Sequence, residues 1–454
     1  MKTCKPSVSF IVALFSGFVL LAACDQPQKQ KPKTDTTARK DTTAQPVPKP
    51  DTAQIALTLP VLDALFYERD FAGTLKSQLG LTFSQIDKLR ATAHSSLREL
   101  SEDGTADTVS ARMANEKYQA KIDAVIGADK AQQLQQFVSQ RYSQGVEGLA
   151  PSQLNFVPTD TRIVVNAPAY RMDVFQDGKL LKSYRIGIGY PEFPLPTGMR
   201  RADTIIFNPA WTPPDEPWVR GNFHVGKRVS AGNELNPLGL VKIPIGMPSL
   251  IHGGKPLEKI GNFASHGCVG LTNRQVLNFA PILAKLGGLV LSDNDVRQME
   301  KSKNKTHSFK LPTRVPIDLR YETIVAEGGV LNIYRDVYER GTNTLDNARR
   351  VLAVYSVKYD SLSDQEKTSL NNALDEMNRD AHGNVIAADS LAPSKNGVPG
   401  SKLARAKKGK VTRRVKGQTA IGVPIAALQG KGYPIPVDLD TGAPIKKKLM
   451  DSNR

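Results

Sequence analysis

Residues 251–273, Ile-His-Gly-Gly-Lys-Pro-Leu-Glu-Lys-Ile-Gly-Asn-Phe-Ala-Ser-His-Gly-Cys-Val-Gly-Leu-Thr-Asn, constrain this chain more than any other stretch. They hold His252, Ser265, His266, Gly267 and Cys268 in one short length of backbone. A thiol reacts as the thiolate, and an imidazole is the usual base that generates one near neutral pH. Glycine beside a nucleophile lets the backbone turn sharply, so that peptide N–H groups can face a developing oxyanion. For a lone cysteine, burial as a small inert hydrophobe is the commoner fate. Here, however, His224, His252 and His266, three of the six histidines, gather around the thiol in sequence. A structural cysteine gives no reason for that grouping; a catalytic one does. On the residues alone, either His252 or His266 is a candidate base.

Cysteine count and the N-terminus sharpen the reading. Lys2 and Lys5 precede a mostly apolar run from Val8 to Ala23, the pattern of a secretory signal over residues 1–23. The run ends in Leu21-Ala22-Ala23-Cys24, which resembles a bacterial lipobox. By that resemblance cleavage precedes Cys24, which then carries lipid and anchors the chain to a membrane. An uncleaved anchor is the alternative, since the apolar stretch is nearly long enough to span a bilayer. Either way the body is exported. The cysteines are Cys4, Cys24 and Cys268, so the lipobox reading leaves the mature body one unpaired thiol and no internal disulfide.

From residue 24 to 54 the chain is polar, and Asp-Thr-Thr-Ala recurs at 35–38 and 41–44. It has too little apolar surface to bury and reads as a disordered tether. Residues 55–150 read as a small helical segment. Thr82 and Gln85 fit a capping box, followed by Ile86, Leu89, Ala93, Leu97 and Leu100 at helical spacing. Met113, Tyr118, Ile122, Val125 and Ile126 form a second stripe that Gly127 closes, and Leu134, Phe137, Val138 and Tyr142 a third. His94 has no second His or Cys at ligand spacing, so no metal site is expected, and no cofactor is implied.

From Thr161 the texture changes to short strands: 162–166, 170–175, a turn at Gln176-Asp177-Gly178-Lys179, then a returning strand bounded by Gly189. Together with Pro196-Thr197-Gly198, the 208–214 and 236–239 segments and the His…Ser-His-Gly-Cys run, residues 160–294 resemble the YkuD-type catalytic domain of the L,D-transpeptidases. That resemblance implies an α+β chain whose catalytic part is a β-rich sandwich or crossed sheet with the site in loops at one end. It implies Cys268 as nucleophile and His252 as base, its ring held by a nearby backbone carbonyl. Ser265 and His266 would shape the nucleophile loop, with the Gly267 and Cys268 amides as oxyanion donors. It also implies a thioester formed with a peptidoglycan stem peptide and passed to an acceptor amine in cell-wall cross-linking. Water as acceptor would instead make the protein an L,D-carboxypeptidase, and a degenerate site would leave a wall-binding lipoprotein. One departure stands out. Many members carry Arg or Asn two residues after the cysteine, where this chain has Gly270. Asn273 is expected to cap the helix that follows.

Beyond the site, 315–323 and 330–334 read as strands and 345–378 as helical, within a C-terminal extension over 311–380. The rest, 381–454, is expected to be a loose basic tail, with nine Lys or Arg and no acid between Lys395 and Lys416. The formal net charge of +17 points to polyanion partners. In an exported protein, facing the periplasm or cell wall, these are anionic lipid or wall polymer. Aromatic residues do not interleave with the basic run, so nothing there suits base stacking and no nucleic-acid partner is expected.

Overall fold

The computed structural model describes residues 57–66, 70–97, 111–143, 153–213, 224, 226–246, 249–380, 383–385 and 414–443. The expected signal, Cys24, the linker 24–54 and most of the basic run fall outside these residues.

Five helices come first: α1 (Leu59–Leu65), α2 (Phe71–Leu79), α3 (Phe83–Leu97), α4 (Ala111–Ile126) and α5 (Ala128–Ser143). The expected capping box opens α3, with Gln85 N–H donating to Thr82 Oγ1 at 3.2 Å and Thr82 N–H to Gln85 Oε1 at 3.0 Å. Ile86, Leu89, Ala93, Tyr118, Ile122, Leu134 and Val138 share one core, as their spacing requires. His94 Nδ1 lies 3.3 Å from Asp63 Oδ1 inside this bundle. The bundle touches the next domain where Thr58 Oγ1 donates to the Glu192 carbonyl at 2.8 Å. Among the described residues, no helix is long and apolar enough to cross a membrane.

The region from residue 162 is a curled eight-stranded sheet. Its strands are β1 (Arg162–Asn166), β2 (Arg171–Gln176), β3 (Lys179–Arg185), β5 (Gly198–Phe207), β6 (Val241–Pro244), β7 (Leu250–His252), β9 (Val269–Gly270) and β10 (His307–Arg320). They run in the order β3-β2-β1-β10-β5-β6-β7-β9, and β4 (Ile188–Gly189) pairs separately with β8 (Phe263–Ser265). The hairpin turn falls where Asp177 and Gly178 sit at φ 50° and 77°, two left-handed residues in a row. Helix α6 (Asn273–Leu286) lays Val276, Phe279, Ala280, Leu283 and Ala284 on the sheet. Full burial of each large apolar side chain among them stabilises by about 1.5–3 kcal/mol. A second helix, α7 (Asp293–Lys301), leads into β10.

Three expectations need correcting. The sheet does not end at 294, because β10 runs between β1 and β5, pairing Ile317 with Ile163 and with Arg200. Residues 307–320 are therefore core of this sheet and not the start of an extension. The extension proper begins at β11 (Ile324–Glu327) and β12 (Val330–Tyr334), packed with α8 (Leu345–Val354) and α9 (Asp364–Met377). Nor is 381–454 a loose tail throughout. Residues 420–424 form β13 (Ala420–Pro424), which pairs with β12, while Val423, Ile425 and Leu428 are buried beneath it. Alternating apolar residues after Lys416 give that strand a face to bury, and the charge of the preceding run masks the pattern. The chain then returns to the edge strand β3, where Ser183 N–H donates to the Val437 carbonyl at 2.8 Å, Asp440 N–H to the Ser183 carbonyl at 2.9 Å and Arg185 N–H to the Asp440 carbonyl at 2.8 Å. Lastly, Thr272 rather than Asn273 caps α6, in a reciprocal box with Gln275.

Candidate functional site

The site is built on the short parallel pair at the end of the sheet. Ile251 pairs with Val269 and His252 with Gly270. Ile251 and Val269 are both fully buried in the core. Successive residues of a strand face opposite ways, so His252 and Gly270 share the other face. Cys268, two residues before Gly270, returns to that face, and the backbone of Leu250 hydrogen-bonds its sulfur. One register thus sets His252 and Cys268, which are distant along the loop, diagonally on the same face.

The nucleophile loop is held from three directions. Ser265 Oγ accepts the Cys268 N–H at 2.9 Å and donates to the Cys268 carbonyl at 2.5 Å, closing a tight turn. Ser249 Oγ donates to the Gly267 carbonyl at 2.7 Å. Gly267 sits at φ 90°, a conformation that side chains resist. Beneath it runs β4: a Cβ at Gly189 would lie 2.2 Å from the Phe193 carbonyl oxygen and 3.2 Å from Gly267 Cα. Tyr338, from beyond β12, donates its hydroxyl to the Gly189 carbonyl at 2.9 Å and accepts the Leu195 N–H at 3.1 Å. Its ring stacks on Phe263 at the start of β8.

Electrostatics set the resting protonation. His252 is 3% exposed, and its Nδ1 donates to the Gly253 carbonyl at 2.8 Å, leaving Nε2 as the basic nitrogen. Burial, then the charge of Lys255, push its pKa down to about 3, against backbone bonds to Gly253 and Leu238. Cys268 is half-buried. Burial pushes its thiol up, and the Leu250 backbone and Lys255 pull it partly back. Both shifts favour the neutral forms, a thiol and an uncharged imidazole, over a thiolate–imidazolium pair.

The structure separates the sequence candidates. His252 and Cys268 share one face of the β7–β9 pair. His266 is wedged between aromatic rings, 5.2 Å from Tyr190 and 4.5 Å from Phe193, centroid to centroid. His224 is exposed in a turn. Ser265 and Gly267 shape the loop, and of the two amides expected to face an oxyanion, that of Cys268 already donates to Ser265 Oγ. Sequence reasoning missed Ser249, Tyr338 and Asn273. Asn273 Oδ1 accepts the N–H groups of Leu240 and Gly254, both at 2.9 Å, and so ties the strand ends around His252. Only the Asn-after-Thr pattern at the helix start hinted at it, and that pattern suggested a cap.

A family model of the YkuD L,D-transpeptidase catalytic domain matches residues 160–303. YqjB of Bacillus subtilis (strain 168), which bears an L,D-transpeptidase name, is 26% identical over 153 residues, 32% of this chain and 79% of that protein. Among solved structures, the Ldtfm–avibactam carbamoyl enzyme is similar at 16% identity and a TM-score of 0.22, over 36% of this chain and 49% of that one. The chain thus spans about half the length of that protein. The catalytic domain of an E. faecium L,D-transpeptidase is 17% identical with a TM-score of 0.22, over 36% of this chain and 98% of that one. An L,D-transpeptidase from Mycobacterium tuberculosis H37Rv is 15% identical with a TM-score of 0.21, over 35% and 57%. On the family match, residues 160–303 are an L,D-transpeptidase catalytic domain of the YkuD family.

Proposed function

We propose that this protein is a peptidoglycan L,D-transpeptidase working through a thioester on Cys268, with His252 as its base. The observation that carries this reading is the register of β7 on β9, which sets His252 and Cys268 on one face. The thiol gives its proton to His252 Nε2 as sulfur attacks the carbonyl carbon before the donor's terminal D-amino acid. The Gly267 amide faces the oxyanion. The C–N bond then breaks, the departing amine takes the proton from the imidazolium, and the thioester remains. An acceptor amine attacks the thioester and loses a proton to His252; the C–S bond breaks and sulfur is reprotonated. Since both shifts favour the neutral forms, proton transfer accompanies attack. His252 Nδ1, bonded to Gly253, keeps the ring oriented throughout.

On the same reading the chain is an exported lipoprotein held by Cys24, with its basic run on anionic lipid or wall polymer. The test is incubation with defined tetrapeptide stems, followed by mass analysis. An acyl adduct on Cys268, release of the D-amino acid and a cross-linked product with added acceptor amine are expected. Hydrolysed tripeptide alone would make the protein a carboxypeptidase, and no adduct with any donor would leave a binding protein. A Cys24→Ser variant should carry no lipid mass.

A further inference from the structure

We propose that Lys255, whose stem crosses Gly270, binds through its ammonium the carboxylate of the donor's terminal residue beside Cys268. This rests on the transpeptidase reading for the identity of the donor, but not for the presence of the charge.

The argument begins at Gly270. It faces His252 across the strand pair, and its backbone is fixed by bonds in both directions with Gly187, at 2.8 and 2.9 Å. A Cβ built there would lie 2.8 Å from Lys255 Cγ, 3.2 Å from Cε and 3.4 Å from Cδ. The stem of Lys255 therefore lies across the glycine and fills the space that a larger residue would take. Long basic side chains rest their stems on such surfaces while the ammonium stays in contact with water.

The root of that side chain is fixed. Lys255 N–H donates to the Leu271 carbonyl at 3.0 Å, and the preceding Gly254 N–H donates to Asn273 Oδ1 at 2.9 Å. Lys255 is half-buried, and its charge acts on both His252 and Cys268. In a stem-peptide donor the terminal carboxylate lies one residue beyond the scissile carbonyl, a span of ~3.8 Å. With its Cε against Gly270, two residues from Cys268, the Lys255 stem carries the ammonium within reach of that carboxylate once the carbonyl is in place. An ammonium on a flexible stem suits a carboxylate whose position shifts as the leaving group departs. Another cation of the same loop, Lys259, is directed over the Tyr190 ring, 5.7 Å from its centroid.

The test does not need the natural substrate. Cys268 of the full chain would be alkylated with iodoacetate, which is anionic, and with iodoacetamide, which is neutral, and the rates read by mass at that residue. Any change in thiolate population cancels in the ratio of the two. Lys255→Met keeps the stem and removes the charge, and should lower the iodoacetate preference about tenfold at low salt. Lys255→Arg should keep it. Lys255→Ala combined with Gly270→Arg should restore it, since the arginine enters the space the lysine stem vacates. With stem donors, Lys255→Met should raise KM for a terminal carboxylate and not for its carboxamide. An unchanged alkylation ratio in Lys255→Met, or an equal fall in Lys259→Met, would overturn the proposal. A charge-dependent ratio with no acylation by any donor would instead sink the transpeptidase reading and leave the anion site standing.

Discussion

His252 stands in register with Gly270, so the position beside the candidate base carries no side chain of its own. That vacancy is filled from the next loop, by a residue three places after the histidine. The consequence is a site whose charge is carried by the base's own loop instead of the nucleophile's strand. Since β7 and β9 each contribute only a few residues, small changes in the loop that follows His252 act on both reacting groups.

The Ser265–Cys268 turn is expected to matter more to geometry than to charge. Ser265→Ala removes an acceptor for the Cys268 N–H and a donor to its carbonyl, in a buried place. Leaving such groups unpaired costs ~1–3 kcal/mol of stability. Thermal melting should record that loss, and acylation of Cys268 should slow by about tenfold or more as the loop loosens. Ser265→Thr keeps the hydroxyl and should retain most of both. Equal melting points for Ser265→Ala and the natural protein would count against the turn.

Tyr338 carries a similar expectation from outside the family segment. Tyr338→Phe keeps the stack on Phe263 but removes the bonds to the Gly189 carbonyl and Leu195 N–H. Two buried backbone groups would lose their partner, costing ~1–3 kcal/mol. Turnover should fall with little change in KM, because the hydroxyl supports the strand under Gly267 and touches no substrate. Melting and steady-state kinetics measured together would separate this from a general loss of fold.

How much of this was legible depends on the range of the forces involved. The β2–β3 hairpin was readable because Asp177-Gly178 dictates its own turn, and α3 because Thr82 and Gln85 cap it locally. The strand β10 was legible as a strand from Val315 onward, yet not as the neighbour of β1. Parallel pairing across about 150 residues leaves no local mark, and Pro312 and Pro316 interrupt its alternation. Strand β13 was hidden behind the basic run that precedes it. Within the site, the residues of the Ser-His-Gly-Cys motif were legible by kind, but the motif could not say which amides were already bonded. Nor could it show that Lys255 crosses Gly270, since that contact follows from β-pairing and a loop fixed by Asn273.

The corrected C-terminus splits one expectation into two. Ending the chain at residue 413 removes β13, the burial of Ile425 and Leu428, and the Arg274–Asp440 pair. That truncation should unfold the C-terminal subdomain and lower the melting temperature. Replacing only the Lys and Arg residues of 395–413 with Gln should leave melting unchanged and weaken binding to anionic vesicles, most clearly at low salt. Normal melting of the truncated chain would show that the 414–443 segment adds nothing to the fold.

The depressed pKa of His252 makes both activity and stability depend on acid in a defined direction. An ordinary imidazole titrates near 6.5, whereas burial and Lys255 hold this one at about 3. Unfolding restores the ordinary value, so below pH 6.5 the unfolded chain takes up a proton that the folded chain refuses. Stability from this group is therefore complete above pH 6.5 and is lost progressively as pH falls toward 3. At ~1.4 kcal/mol per pH unit, about 2 kcal/mol is gone by pH 5. Denaturant unfolding from pH 7 to 4 should show this decline, and His252→Gln should flatten it. Activity follows the same sign: the imidazole stays neutral and able to accept a proton well below pH 6, so the acid limb of kcat/KM should lie below pH 5. An acid limb near pH 6.5, together with a stability curve that His252→Gln does not change, would mean that the ring titrates as though in water.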